Sequence, residues 1–256
     1  MQYSFSDFVD IIARLRGEGG CPWDAEQTHE SIKKNLIEEA YETLEAIDSG
    51  NGAKMADELG DVLLQIVFHA QIGKEAGEFT IDDVITAVSE KMIRRHPHVF
   101  GDISVKDSDE VLVNWEKIKK QENGQKSTTE SMLSVSRYLP ALMRAGKVQG
   151  KAAKVGFDWA KPEEALEKVK EETEEVSEAL KNHSNIKEEI GDLLFAAVNT
   201  ARLAGIDAEE ALTEATEKFI RRFTFVEEKA QNMGKSLDTM NINEMDDLWN
   251  MSKISE

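Results

Sequence analysis

The chain has 256 residues, 40% hydrophobic and 32% charged, which is enough for one large globular domain or two ordinary ones. Its formal net charge of −19 argues against a non-specific nucleic-acid surface, which needs basic residues to displace counterions, and disfavours anionic membranes. No apolar run nears the roughly 20 residues of a bilayer span, Met1–Phe5 lacks a basic-then-apolar signal pattern, and the single Cys21 excludes an internal disulfide, so a cytoplasmic protein is expected.

Helical periodicity dominates from the start of the chain. Phe5, Phe8, Val9, Ile12 and Leu15 form an amphipathic segment that the glycines at 17, 19 and 20 end, and Cys21–Asp24 reads as a loop. Thr28 is placed to cap a long helix with an apolar face of Ile32, Leu36, Ala40, Leu44 and Ile47, stopped by Ser49-Gly50-Asn51-Gly52. Further helices are expected over 53–76, over 82–95 (ended by Pro97), and from Asp107 through Trp115. Residues 122–131 read as a polar linker between domains 1–121 and 132–256. Helices then follow near 132–149, 162–182, 186–204, 207–233 and 243–252, with a Gly156-Phe157-Asp158-Trp159 loop. No stretch carries convincing strand alternation with hairpin turns, so the fold class is all-α.

The second half repeats the first. Glu38-Glu39-Ala-Tyr-Glu42 matches Glu171-Glu172-Thr-Glu-Glu175, and Glu58-Leu-Gly-Asp61 matches Glu189-Ile-Gly-Asp192. Lys91-Met-Ile-Arg94-Arg95 matches Lys218-Phe-Ile-Arg221-Arg222, and each half has a tryptophan loop and a late helical tryptophan. The architecture expected is two tandem helical units.

Residues three or four apart share a helix face, so Glu172 and Glu175 project together, with Glu171 close by, and Glu189 and Asp192 do so on the next helix. The short connection makes these helices antiparallel neighbours, and two carboxylate pairs can face each other. Crowded carboxylates raise one another's pKa, so some protonate or a cation binds. Oxygen donors without cysteine or histidine suit Mg²⁺ or Mn²⁺ rather than zinc. With 50 acidic residues in the chain, a Glu-Glu-x-x-Glu alone would be ordinary solvated surface. The Glu-x-x-Asp is less easily dismissed. Asp61 and Asp192 precede apolar residues, near what should be a core-facing stripe, and Gly60 and Gly191 sit mid-helix at about 1 kcal/mol relative to Ala, which suggests close approach of a helix or ligand. The metal set expected is therefore Glu172, Glu175, Glu189 and Asp192, with a weaker N-terminal set of Glu39, Glu42, Glu58 and Asp61.

Lys218 and Arg222 are an i, i+4 pair beside Arg221, and Lys168 precedes Glu171 by three. They can neutralise phosphate oxygens or pair with surface glutamates. Trp249 can stack on a nucleobase or pack in a core. Ala145-x-x-x-x-Gly150-Lys151 is no P-loop, because Ala152 replaces the required hydroxyl and no strand precedes it. A di-iron bundle would need two Glu-x-x-His helices, which the repeat lacks. His96 and His98 flank Pro97 as in a structural turn, and Cys21 has no metal-spaced partner.

Glu-Glu-x-x-Glu followed by Glu-x-x-Asp and a later Lys-x-x-x-Arg resembles the MazG-type nucleoside triphosphate pyrophosphohydrolases, as do Gly20–Asp24 and His96–Asp102. The resemblance runs over essentially the whole chain. It implies an all-α fold, homodimerisation through helical bundles, and hydrolysis of nucleoside triphosphates to monophosphate and pyrophosphate, with the C-terminal half catalytic. Asn35 and Ala56 stand where the second half has Lys168 and Lys187, which agrees with an N-terminal site poor at handling triphosphate. The reaction expected is attack of a metal-activated water on the α-phosphorus. Glu171 or another spare carboxylate is the candidate base, and Lys168, Lys187, Lys218, Arg221 and Arg222 are the groups offsetting phosphate charge. The alternative is a nucleotide-binding regulatory module without turnover.

Overall fold

The computed structural model describes residues 2–122, 124 and 127–254, the side chains of Glu116 and Lys120 apart. Among these residues every regular element is helical, and the chain forms two compact units, Met1–Glu122 and Asn123–Glu256. The segment expected as a linker falls partly outside the described residues, and its end enters a short helix at Thr128.

Unit 1 contains α1 (Phe5–Arg16), α2 (Pro22–Glu26), α3 (Lys33–Asp48), α4 (Gly52–Ala76), α5 (Ile81–Arg95), α6 (Pro97–Phe100) and α7 (Ser108–Glu122). Ser4 with Asp7 and Thr80 with Asp83 close reciprocal capping boxes, which supply partners for orphan amides at the starts of α1 and α5. Gly50, at φ +64°, turns α3 back into α4, and the Asn51 side chain caps the new helix. Ile12, Ile32, Val67 and Phe68 make the core, with Phe8, Val9, Leu64, Ile72 and Ile81 around it.

Unit 2 contains α8 (Thr128–Leu133), α9 (Ala141–Ala153), α10 (Pro162–Asn182), α11 (Ile186–Leu203), α12 (Ala208–Asn232), a 3₁₀ turn (Leu237–Thr239) and α13 (Ile242–Ser252). The α10–α11 hairpin is its main packing pair, and α9 lies against α11 and α12. His183 and Asn185 both adopt left-handed conformations to reverse the chain in three residues. Val226, Ala230, Met240 and Leu248 form a second core between α12 and α13, with Trp249 packed against it.

Several expectations need correction. Cys21–Asp24 is not all loop, because Pro22 opens the short α2 with its φ already helical and no amide to orphan. Thr28 does not start α3. It exchanges backbone–hydroxyl bonds with Ser31, while Ile32 is buried at the cap position and the helix begins at Lys33. The single helix expected over 132–149 is two, since Pro140 lacks an amide and pushes Leu139 out of the helical region. The supposed core stripes are also half open, with Leu44 at 55%, Ile47 at 51% and Leu194 at 50% exposure. Periodicity reports an apolar face, not what covers it. No helix among the described residues is long and apolar enough to cross a membrane.

Candidate metal and nucleotide site

Glu172 lies on α10, one turn after Lys168, and Glu189 and Asp192 lie one turn apart at the start of α11. The hairpin brings the three carboxylates together, with one oxygen from each within 4.8 Å of the others. A set this compact would suit a single divalent ion. Glu172 is 5% exposed, an unusual place for a carboxylate, and its Oε2 is buried without a hydrogen-bond partner. An all-oxygen donor set with one unmet buried oxygen fits a hard divalent cation. Glu175 stands beside Glu172. The charge of Glu172 first, then burial, hold its carboxyl above the usual range.

Lys168 bridges the pair on its own helix, Nζ lying 2.8 Å from Glu171 Oε1 and 2.7 Å from Glu172 Oε1. Those two hydrogen bonds, Glu171 first, raise its pKa. Lys187, Lys218 and Arg221 make no ion pair with these carboxylates among the described residues. Arg222 lies over the Trp249 ring at 5.9 Å, and Trp249 packs on Phe219 at 5.0 Å. Gly60 and Gly191 face open space: nothing comes within 4 Å of where a Cβ would stand, so helix packing within the chain does not explain them.

A cavity of about 570 Å³ is lined by Lys168, Glu172 and Asp192 together with Gln149, Phe157 and Trp159. Arg202 pins the aromatic loop to α11, pairing with Asp158 at 2.5 Å and donating to Asn199 Oδ1. The spacings that single out the carboxylates mark neither Gln149 nor the Asp158–Arg202 pair. The available signal for Gln149 was an amide on the apolar stripe of α9, four residues after Ala145 and three before Ala152.

Unit 1 repeats the carboxylates with Glu39, Glu58 and Asp61, again within 4.8 Å. Burial first, then Asp61 and Glu42, raise the Glu39 pKa, and burial, then Glu42, raise that of Glu58. Its surroundings differ. Glu122 holds both Arg94 (2.5 Å) and Arg95 (2.7 Å), the counterparts of Arg221 and Arg222. Arg16 stands seven residues before Trp23, as Ala152 does before Trp159. Where Ala152 lines the open cavity, the Arg16 side chain is 5% exposed and bonds Glu75, Asp24 O and Gln27 O. Arg16→Ala is expected to destabilise unit 1 by about 2 kcal/mol, through two carbonyls left without donors, discounted because Glu75 is partly solvated. Urea unfolding followed by circular dichroism checks it, and an unchanged first transition would show that Arg16 is not structural.

The MazG nucleotide pyrophosphohydrolase domain matches residues 27–100 and 160–226, one segment over each acidic hairpin. The chain belongs to the MazG family. It is 47% identical over 97% of its length to the nucleoside triphosphate pyrophosphohydrolase/pyrophosphatase MazG of Thermotoga maritima, covering 95% of that protein. It is 45% identical to the nucleoside triphosphate pyrophosphohydrolase of Escherichia coli K12, covering 97% of this chain and 96% of the relative. A third relative, the uncharacterized protein YabN of Bacillus subtilis, is 55% identical over the full chain, which spans about half (53%) of its length. The two MazG segments begin after α1 and after α9 respectively, so Arg16 and Gln149 both lie outside them.

Proposed function

We propose that this MazG-family chain hydrolyses nucleoside triphosphates to the monophosphate and pyrophosphate at the α10–α11 carboxylates of unit 2, with Mg²⁺ or Mn²⁺. The observation that carries the reading is the buried, unpartnered Oε2 of Glu172 within a three-carboxylate cluster beside a cavity large enough for a nucleoside. Both the Thermotoga and the Escherichia relatives are named for this activity.

Glu172, Glu189 and Asp192 would hold the cation, with Glu175 completing the set. When bound, the ion supplies charge neutralisation for the phosphates and a water of lowered pKa for attack at the α-phosphorus. Glu171, exposed and already in contact with Lys168, takes the proton of the attacking water. Lys168, which pairs with Glu171 and Glu172, would take phosphate oxygens of the substrate. Lys187, Lys218, Arg221 and Arg222 offset charge on the leaving pyrophosphate, and Trp249 packs alongside Arg222. Unit 1 binds metal at Glu39, Glu42, Glu58 and Asp61 but turns over triphosphate poorly, since Glu122 engages its arginines and Arg16 stands at the position that corresponds to Ala152 in unit 2.

The half-exposed apolar faces of α10, α11 and α12, including Leu180, Leu194 and Phe219, support a homodimer, as two copies would cover them. The single cysteine supports a reducing cytoplasm. A panel of ribo- and deoxyribonucleoside triphosphates with magnesium, followed for product, tests the chemistry. Pyrophosphate with monophosphate is expected. Inorganic phosphate alone would mean a different hydrolase, and tight nucleotide binding without product a sensor.

A further inference from the structure

His29 stands in the turn before α3, and His69 on α4, about two turns after Asp61. Their Nδ1 atoms are 2.7 Å apart. The ring centroids are 5.0 Å apart and the planes 9° from parallel. That separation equals the Nδ1–Nδ1 distance plus one ring radius at each end, so the imidazoles meet edge to edge in one plane. A straight N–H···N bond has this geometry, and it needs one proton between the two nitrogens. One ring donates from Nδ1, while the other accepts on a bare Nδ1 and carries its own hydrogen on Nε2. With no proton between them the lone pairs repel, and with two the N–H groups collide.

α3 and α4 form the acidic hairpin of unit 1, joined at one end by Ser49-Gly50-Asn51. At the other end no short link ties them. There His29 meets α4, beside Ile32, which shares the core with Phe68. Phe79 packs on His29, centroids 6.0 Å apart, and rests on Gly73, where a Cβ would come within 2.7 Å of its ring. Charged groups on the surrounding elements are engaged elsewhere. Arg16 of α1 and Glu75 of α4 hold each other, and Glu30 holds Lys33. Asp24 and Glu26 of α2, Lys74 of α4 and Glu78 of the following turn bond to neither ring among the described residues. Burial first, then the charge of His29, keep the His69 pKa below its ordinary value. The unfolded chain then binds the proton more tightly than the folded one. The contribution of the pair is complete above the unfolded value of about pH 6.5, and is lost as pH falls through the lowered one. Unit 2 has no such pair: Thr200, eight residues after Asp192, stands where unit 1 has His69 and donates to the Ala196 carbonyl.

We infer that His29 and His69 are a proton-sharing clasp on the open end of the unit 1 hairpin, shut while one Nδ1 stays bare and released when that nitrogen is protonated. A first proton added to the neutral pair does no harm. It goes to the free Nε2 of the donor ring, and the Nδ1–H···Nδ1 bond becomes charge-assisted. The next must take the bare Nδ1, which sets two N–H groups and two like charges face to face. Release loosens α3, with Glu39, from α4, with Glu58 and Asp61. Mild acid therefore slackens unit 1 and leaves unit 2 as it is. The inference goes beyond the hydrolase reading and stands without it.

Hydrogen exchange of the full chain, read by mass spectrometry, compares the parent with His69→Asn at pH 7.5 and 5.5. Asparagine places Oδ1 where the His69 Nδ1 was, and that oxygen accepts from His29 whether or not His29 is charged. Residues 66–72 should exchange within about twofold of each other in the two proteins at pH 7.5, and about tenfold faster in the parent at pH 5.5. The chemical pH dependence of exchange, and the titration of the unit 1 carboxylates, His96 and His98, are common to both proteins and cancel in that ratio. Residues 197–203 of unit 2 should show no difference at either pH. A ratio that is the same at both pH values, or an equal change in unit 2, would overturn the clasp. If His69→Asn does not fold, imidazole nitrogen-15 spectra of the parent decide the matter, with five histidines to assign. At pH 7.5 one ring of the pair should carry hydrogen on Nδ1 and the other only on Nε2. Two rings with hydrogen on Nε2 alone would mean that no proton is shared, and the inference fails. As the bare Nδ1 gains its proton on acidification, protection of residues 66–72 should fall with it, and protonation without that fall rules out the release.

Discussion

Glu172→Ala is expected to lower magnesium-dependent pyrophosphate release by on the order of 10³-fold, about 4 kcal/mol of transition-state stabilisation. Asp192→Ala should act similarly, because either change leaves too few oxygens within 4.8 Å to hold an ion. The metal-free variant should be at least as stable as the parent. Glu172 is a buried carboxylate with an unmet Oε2, and its charge is the first cause of the raised Glu175 pKa. Removing it relieves both strains. Loss of activity with retained or raised Tm separates a functional carboxylate from a structural one. Glu39→Ala, the counterpart in unit 1, should leave turnover within two- to threefold. Steady-state pyrophosphate release at saturating triphosphate, with thermal melts in chelator, decides it. A tenth or more of parental activity in Glu172→Ala would move the reaction elsewhere.

The spacing of Glu172 from Glu175, and of Glu189 from Asp192, made the two acidic faces legible, and the three-residue turn between α10 and α11 made them meet. Helix starts were legible where a side chain caps directly, as at Asn51 and Asp207. They were misread where a cap residue serves another purpose, as Thr28 does in its turn with Ser31. Pro140 is visible in the sequence, yet the apolar pattern on both sides of it suggested one helix. The basic residues are less legible than the carboxylates for another reason. Lys218 and Arg221 lie on α12, and periodicity fixes which face of a helix they occupy but not how that helix is rotated toward α10 and α11. Gln149 was hidden because its place at the cavity comes from burial and tertiary packing, neither of which is written in one dimension.

Divalent cations should stabilise the protein more at high pH than at low, and the crowded carboxylates set the sign. Mutual charge and burial hold Glu39, Glu58 and Glu175 above their ordinary pKa values. The folded chain then binds protons more tightly than the unfolded chain from about pH 4 up through the raised values, so stability falls as pH rises across that window. As pH rises through the raised values the carboxylates lose their protons, the repulsion grows, and a cation has more to relieve. At pH 5 protons compete with the cation for the same oxygens. Magnesium at about 100 times its dissociation constant should contribute about 2.7 kcal/mol, or roughly 10 °C in the Tm of a unit this size. Scanning calorimetry of chelator-treated protein should show that shift at pH 8 and less than half of it at pH 5. The Glu172→Ala, Asp61→Ala double variant should lose it at both. Because calcium or magnesium bound to scattered surface glutamates would be insensitive to those two residues, a shift that survives the double variant would mean that the hairpin carboxylates do not hold the ion.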